Sequence, residues 1–178
     1  ANADYYVNAG NAKQKGIEVS ASYTASFYSM LVDYIAFTSA YTLSDFKYGD
    51  FRKGTTDFSG KRLPSVPQHT ISVLTDIQFK KGPYFNATYY YATKIFLDDA
   101  NTVAADPYHL LGSRIGYKTT VKKRLQLNIY TGADNLLDET YSLGNDINAA
   151  AGRYYNAAPG RNYYVGISLG YSKKTERP

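Results

Sequence analysis

Hydrophobic and polar positions alternate along this chain with a period of two, and the clearest run closes the sequence. From Tyr163 to Tyr171, the side chains of Tyr163, Val165, Ile167, Leu169 and Tyr171 fall on one side, and those of Tyr164, Gly166, Ser168 and Gly170 on the other. A strand sends successive side chains to opposite faces, so this run reads as a β-strand with one apolar face. The opposite face is small or polar, which suits a wall between hydrocarbon and a wet or filled interior better than half of a packed sandwich core. Aromatic rings at both ends of the apolar row stand where a membrane strand meets the two headgroup layers. Taken alone, the run equally describes an amphipathic strand of a soluble sheet.

The same alternation recurs upstream. Residues 1–8 read as the tail of an incomplete strand. Strands are expected over about 13–25, with Ile17, Val19, Ala21 and Tyr23 opposite Glu18, Ser20 and Ser22, and over about 32–43, with Ile35, Phe37, Tyr41 and Leu43 sharing a face. Further strands follow over about 68–79, 84–97, 107–117 and from about 125, before the closing strand. Each runs for about 11 to 14 residues, longer than a typical soluble strand and near what a tilted strand needs to cross a bilayer. The connections alternate in length: short at 26–31, 80–83 and 118–124, longer at 45–66, 98–106 and 142–160. An up-and-down meander built on these lengths has its short turns at one end and its long loops at the other, the asymmetry of an outer-membrane barrel.

Composition fits that picture. Twenty Tyr and eight Phe against no Trp favour strands, and the absence of Cys excludes disulfides and thiolate metal sites. No apolar run is long enough for a membrane-spanning helix, and barrel strands need none. The first residues, ANADYYVNAG, lack the pattern of a signal peptide and start directly in strand-like text, as expected of a chain that begins mid-protein. The formal charge of +5 is scattered or gathered in turns such as Lys80-Lys81 and Lys122-Lys123-Arg124, with no single basic stripe for nucleic acid.

Four stretches carry a family resemblance. YYVNAGNAKQKGIEVSASY is similar to the N-x-G-x-A-x-x-x-G-[IV]-E segment of TonB-dependent outer-membrane receptors. LPSVPQHTISV, GADNLLDETY and RYYNAAPGRNYYVGISLGY resemble, in the same order and at comparable spacing, other signatures of that family's carboxyl-terminal barrel. The resemblance implies an all-β, antiparallel up-and-down transmembrane β-barrel, of which this chain supplies the carboxyl-terminal strands of 22, closed around an amino-terminal plug domain that lies upstream. It implies an integral protein of the outer membrane of a Gram-negative-type bacterium, in contact with outer-membrane lipid. It further implies import of a ferric siderophore or similar metal chelate with energy delivered by TonB through the plug. Residues 1–171 form the barrel part and residues 172–178, SKKTERP, a polar tail. That tail departs from the family pattern, which ends within a residue or two of an aromatic.

Candidate chemistry is sparse. There is no nucleophile spacing, phosphate loop or cofactor motif, so neither an enzyme nor a bound cofactor is expected. Asp134, Asn135, Asp138 and Glu139 lack the spacing of a Ca²⁺ loop, and Asp98, Asp99 and Asp106 read as solvated. His69 and His109, each at the start of a strand, read as ordinary wall or loop residues, and no metal site is expected. On the interior face, Glu18 is expected to pair with Arg114 or Lys94 or to meet the plug. Substrate contacts are expected in the long loops, from Tyr48, Phe51 and Arg52 in YGDFRKG and from Arg153, Tyr154 and Tyr155 in GRYYNAAPGR, where aromatics and Arg suit an anionic or aromatic chelate. Arg161 reads as an anchor of its own loop. Two other architectures fit the pattern less fully: a complete eight-stranded membrane barrel whose first strand pairs with the last, and a soluble lipocalin-like barrel with its apolar face inward.

Overall fold

The computed structural model describes residues 10–28, 31–122 and 124–171. Seven long strands make one antiparallel sheet: β1 (Gly10–Ser26), β2 (Val32–Lys53), β3 (His69–Phe79), β4 (Pro83–Ala92), β5 (Tyr108–Val121), β6 (Leu125–Asp134) and β7 (Asn162–Tyr171). Each pairs with the next, so the order across the sheet is the order along the chain. The expected strand fragment over 1–8 and the tail over 172–178 lie outside the described residues. Among the described residues, β1 pairs with β2 alone and β7 with β6 alone, so the β1–β7 closure of a small complete barrel is not formed by them.

Register turns seven separate alternations into two continuous faces. Ile17, Val19 and Tyr23 stand opposite Leu43, Tyr41 and Phe37. These in turn stand opposite His69, Ile71 and Thr75 of β3. The row continues through Tyr91, Tyr89 and Phe85 of β4 to His109, Leu111 and Ile115 of β5. It ends with Leu127, Ile129 and Thr131 of β6 facing Leu169, Ile167 and Val165 of β7. A slip of one residue anywhere would move an entire strand's apolar set to the other side. Among the described residues the apolar face carries no second layer: Val165 is 78 % exposed and Ile17 57 %.

The polar face is where cavities open. One of about 650 Å³ is bordered by Thr38, Ser72, Thr88, Gly112 and Asp134 together with Tyr141 and Leu143 of the last long loop. On this face three glycines stand directly across from tyrosines: Gly116 from Tyr84, Gly132 from Tyr164 and Gly166 from Tyr130. In each pair the ring lies over the glycine, and a Cβ there would collide with it. Strand glycines packed by a cross-strand aromatic ring keep the ladder filled where a side chain is missing.

Several element boundaries differ from those the pattern predicts. The strand expected to stop near Leu43 continues to Lys53, and its partner begins at Gly10, so much of 45–66 is a tall hairpin rather than a loop. There the period inverts, with Asp45 and Lys47 on the apolar face and Phe46 and Tyr48 on the polar one, so the apolar stripe stops while the hydrogen-bonded ladder continues. The strand expected over 84–97 breaks at 93–94, and Ile95–Phe96 pairs instead with Ala104–Ala105. The strand expected to end near Tyr117 reaches Val121, leaving a tighter turn. At the turn after β3, Lys81 and Gly82 both take positive φ, 72° and 115°, and Gly82 also passes too close to the Lys118 carbonyl for a Cβ.

A Cβ at Gly132 would fall 2.5 Å from the Tyr164 ring and 2.6 Å from the backbone oxygen of Ser113, whereas one at Gly170 meets nothing nearer than 3.4 Å. Gly132→Ala is therefore expected to cost about 1–3 kcal/mol, and Gly170→Ala to change stability by less than about 0.5 kcal/mol. Urea unfolding of the two variants in the intact protein checks this, and equal costs would refute the ring-on-glycine account.

Candidate functional site at the loop end

The long connections all emerge at one end of the sheet, and a central loop over residues 97–103 ties them together. Leu97 and Asp99 are buried, at 0 % and 6 % exposure. Asp98 folds the loop on itself, its carboxylate accepting from the backbone N–H groups of Thr102 and Val103 and from the Thr102 hydroxyl. Such local carboxylate-to-backbone bonds are what Asp contributes at turns. Asp99 reaches outward. It accepts a 2.6 Å hydrogen bond from the Tyr48 hydroxyl and a 3.3 Å ion-paired bond from the Lys53 ammonium, while its own N–H donates to Asn148 Oδ1 at 3.0 Å. Asn101 exchanges bonds with both backbone groups of Arg62, and the Ser65 N–H donates to the Phe96 carbonyl. The hairpin over 45–66 and the loop over 135–161 thus both hold to one short segment.

Asp99 is the correction here: a carboxylate that reads as solvated is almost fully enclosed. Burial raises its pKa, but the hydrogen bonds from Tyr48, Asn148 and Lys53 outweigh that and leave it below the usual carboxylate range. The partner effect is reciprocal, since burial and the neighbouring carboxylate push the Tyr48 phenol well above its ordinary value.

The expected ligand residues separate into two groups. Tyr48 is committed to Asp99, and Phe51 is packed inside the hairpin, its ring 4.4 Å from that of Tyr48 and 5.6 Å from that of Phe58. Arg52 is exposed and pairs with Asp57 at 3.3 Å. Arg153 and Tyr155 are exposed and Tyr154 is half-buried, on the short ladder of Ser142–Asn145 with Tyr155–Ala157 and the single 3₁₀ turn Ala150–Gly152 beside it. The Tyr155 hydroxyl bonds the Ala104 carbonyl at 3.5 Å, and the rings of Tyr154 and Tyr155 meet edge to face. Beneath them Tyr90, Tyr108 and Tyr141 form a stack on the polar face, with centroids 6.0 and 5.1 Å apart, which no sequence period announces.

On the interior face, Arg114 lies between the rings of Tyr130 and Tyr164, 5.0 and 5.8 Å from their centroids, and donates to the Tyr164 hydroxyl. Glu18 stands opposite Thr42 on β1, four strands from Arg114. At about 4.8 Å per strand that is about 19 Å, too far for the expected pair. Lys94 falls in the break after β4, with its ammonium 5.2 Å from the Phe96 ring, and borders a cavity shared with Arg62 and Tyr91. The interrupted strand does not carry the alternation that places Lys94 with Arg114.

The acidic stretch after β6 is a clamp. Asn135 is buried at positive φ, accepts from the Glu139 N–H and donates to the Glu139 and Pro159 carbonyls. Asp138 accepts from the Arg161 N–H, and Arg161 Nε donates to the Leu136 carbonyl, so Arg161 anchors its loop as its position suggested. His69 and His109 face the apolar side, with Nδ1 at 2.8 Å from the Tyr41 hydroxyl and 2.7 Å from that of Tyr89. Among the described residues no three His, Asp or Glu side chains gather as a metal site.

Asp99→Ala strands the Tyr48 hydroxyl, and loss of a buried hydrogen-bonded group of this kind costs about 1–3 kcal/mol. Because the folded pKa is depressed, the stabilisation is complete above the unfolded value of about 3.9 and is lost as pH falls through the folded value. Hydrogen exchange is expected to quicken in residues 45–66 and 145–157 of the variant while β6 and β7 stay protected. Unchanged loop protection would remove Asp99 from this role.

Two solved structures are similar in fold. One, described as the siderophore receptor PiuA from Acinetobacter baumannii, matches with a TM-score of 0.66 at 19 % identity, covering 90 % of this chain and 22 % of that one. The other, described as the ferric citrate transporter FecA in the unliganded form, matches with a TM-score of 0.63 at 20 % identity, covering 78 % and 21 %. This chain therefore spans about a fifth of the length of either. The family description "TonB dependent receptor-like, beta-barrel" matches residues 1–136, and the chain belongs to that family.

Proposed function

We propose that these strands are the carboxyl-terminal part of a 22-stranded outer-membrane barrel with a separate plug domain in its lumen. The receptor captures a ferric siderophore or a similar metal chelate at the loop end and imports it with energy passed by TonB through the plug. The observation that carries this reading is the single apolar face shared by seven strands and left uncovered. A contiguous apolar surface of this extent is not sustained in water, and a bilayer covers it while the ladders satisfy the backbone. The edges of β1 and β7, which have no strand partner among the described residues, are then continued by the remaining strands of the barrel.

Ligand contact falls to Arg52, Arg153, Tyr154 and Tyr155, with Tyr48 and Phe51 as the support that holds the hairpin in place. Guanidinium groups beside phenol rings match a chelate that presents anionic oxygens and flat π-faces. The similarity to a siderophore receptor and a ferric citrate transporter directs the proposal toward iron.

The membrane part is tested by charge on each face of one strand. Ile167→Lys is expected to cost about 2–4 kcal/mol in unfolding from lipid vesicles, and Ser168→Lys on the opposite face less than about 1 kcal/mol. Equal costs would contradict the assignment of faces. The ligand part is tested by titrating the full-length receptor with a panel of ferric chelates. Alanine at Arg153 or Tyr154 is expected to weaken the tightest of them by about tenfold or more, and a panel that binds nowhere, or binds both variants unchanged, would withdraw it.

A further inference from the structure

Above the apolar belt the same face of the sheet becomes cationic. The β1–β2 ladder continues past Ile17–Leu43 with Lys15 opposite Asp45 and Lys13 opposite Lys47. Lys47 forms an antiparallel bridge with Arg62, so the two side chains share that face. Arg62 and Lys94 border one cavity of about 300 Å³ with Tyr91, Phe96 and Pro107. The carboxylate within this strip is Asp45, held by Lys47 at 2.8 Å. Its hydrogen bond from Lys47 lowers its pKa despite desolvation, and attraction from Lys47, Arg62 and Lys15 adds to this, which marks all three cations as near neighbours. Immediately below lie Tyr41 with His69, and Tyr89 and Tyr91 with His109. Five cations around Asp45, set over a Tyr/His belt at the rim of an apolar face where Glu139 accepts from the His109 N–H, is the arrangement that meets a negatively charged headgroup layer.

We propose that Lys13, Lys15, Lys47, Arg62 and Lys94 form a binding site for phosphate headgroups of anionic lipid in the leaflet at the loop end. The inference rests on the membrane reading above. Headgroup phosphate lies between the Lys and Arg side chains, the cavity walls of Tyr91, Phe96 and Pro107 take the apolar stem next to it, and the acyl chains continue down the apolar face. Arg62 supplies the forked donor set that suits phosphate oxygens, and the lysines supply point charge.

The test uses the full-length receptor in zwitterionic detergent, with retention of phosphatidic acid against phosphatidylcholine read by native mass spectrometry. The wild type retains phosphatidic acid preferentially and loses it as salt rises. Each cation removed is expected to weaken retention about fivefold, so that K47Q/R62Q/K94Q loses about 100-fold. Asp45→Asn, which removes the competing anion, is expected to tighten retention about fivefold, an outcome that misfolding cannot imitate. Equal retention of both lipids, or a triple variant and D45N that match the wild type, overturns the proposal. Inorganic phosphate that displaces the lipid at millimolar concentration overturns the lipid as ligand. A protein that remains in the membrane fraction without headgroup preference defeats this inference alone, and one that leaves the membrane fraction defeats the membrane reading with it.

Discussion

Continuous register is the constraint on which the rest depends. Once β7 fixes which side Ile167 faces, its in-register pairing with Ile129 fixes β6, and the same logic passes strand by strand to Ile17 on β1. Among the described residues no helix, second sheet or disulfide takes part in holding these seven strands. The backbone ladder and the segregation of side chains do the work together: the ladder gives each strand its neighbour, and the two-residue period makes a slipped register chemically intolerable. The polar face is then released from any duty to repel water, and it holds features that a packed core would not accept, such as Arg114 between two tyrosines and glycines roofed by rings.

The loop end is organised on a different principle. There the pairing partners are not dictated by periodicity, and a buried carboxylate sets the arrangement instead. Asp99 is enclosed because desolvation of its carboxylate is offset by the Tyr48 hydroxyl and the Lys53 ammonium while its N–H donates to Asn148, all three drawn from segments 46 to 51 residues away in sequence. A side chain without an acceptor at this position would leave Tyr48 and Lys53 without their common partner. The sheet below requires only that the loops begin and end at adjacent strands, so hairpin, central loop and last loop are free to vary while the hub keeps them in register with one another.

This division explains what could be read from the chain. The two faces, all seven strands, the short-turn and long-loop ends and the anchoring of Arg161 were legible, because each follows from a local period or a turn residue. The extension of β2 to Lys53 was not, since beyond Leu43 the apolar and polar faces exchange, and the apolar stripe stops while the hydrogen bonds persist. Asp98 and Asp99 were not, both reading as solvated: the bonds Asp98 makes to Thr102 and Val103 appear only once the loop is folded, and Tyr48 and Asn148 are distant and carry no mark of the contact with Asp99. Glu18 and Arg114 illustrate the converse error. Two opposite charges on one face look like a pair until the strand count between them shows that they are too far apart.

The upper limit of the apolar belt is therefore a boundary in side-chain chemistry and not in backbone structure. On β2 the same face passes from Phe37 and Tyr41 to Leu43 and then to Asp45 and Lys47 without a break in the ladder. On β3 and β5 the change is made by His69 and His109, each with its Nδ1 within hydrogen-bond distance of a tyrosine hydroxyl of the belt, Tyr41 and Tyr89. In the membrane setting proposed above, a strand that simply ended at the belt would expose unpaired N–H and C=O groups where hydrocarbon gives way to headgroups. Continuing the ladder upward keeps those groups paired through the boundary, and the choice of side chain alone decides which solvent each level of the sheet meets.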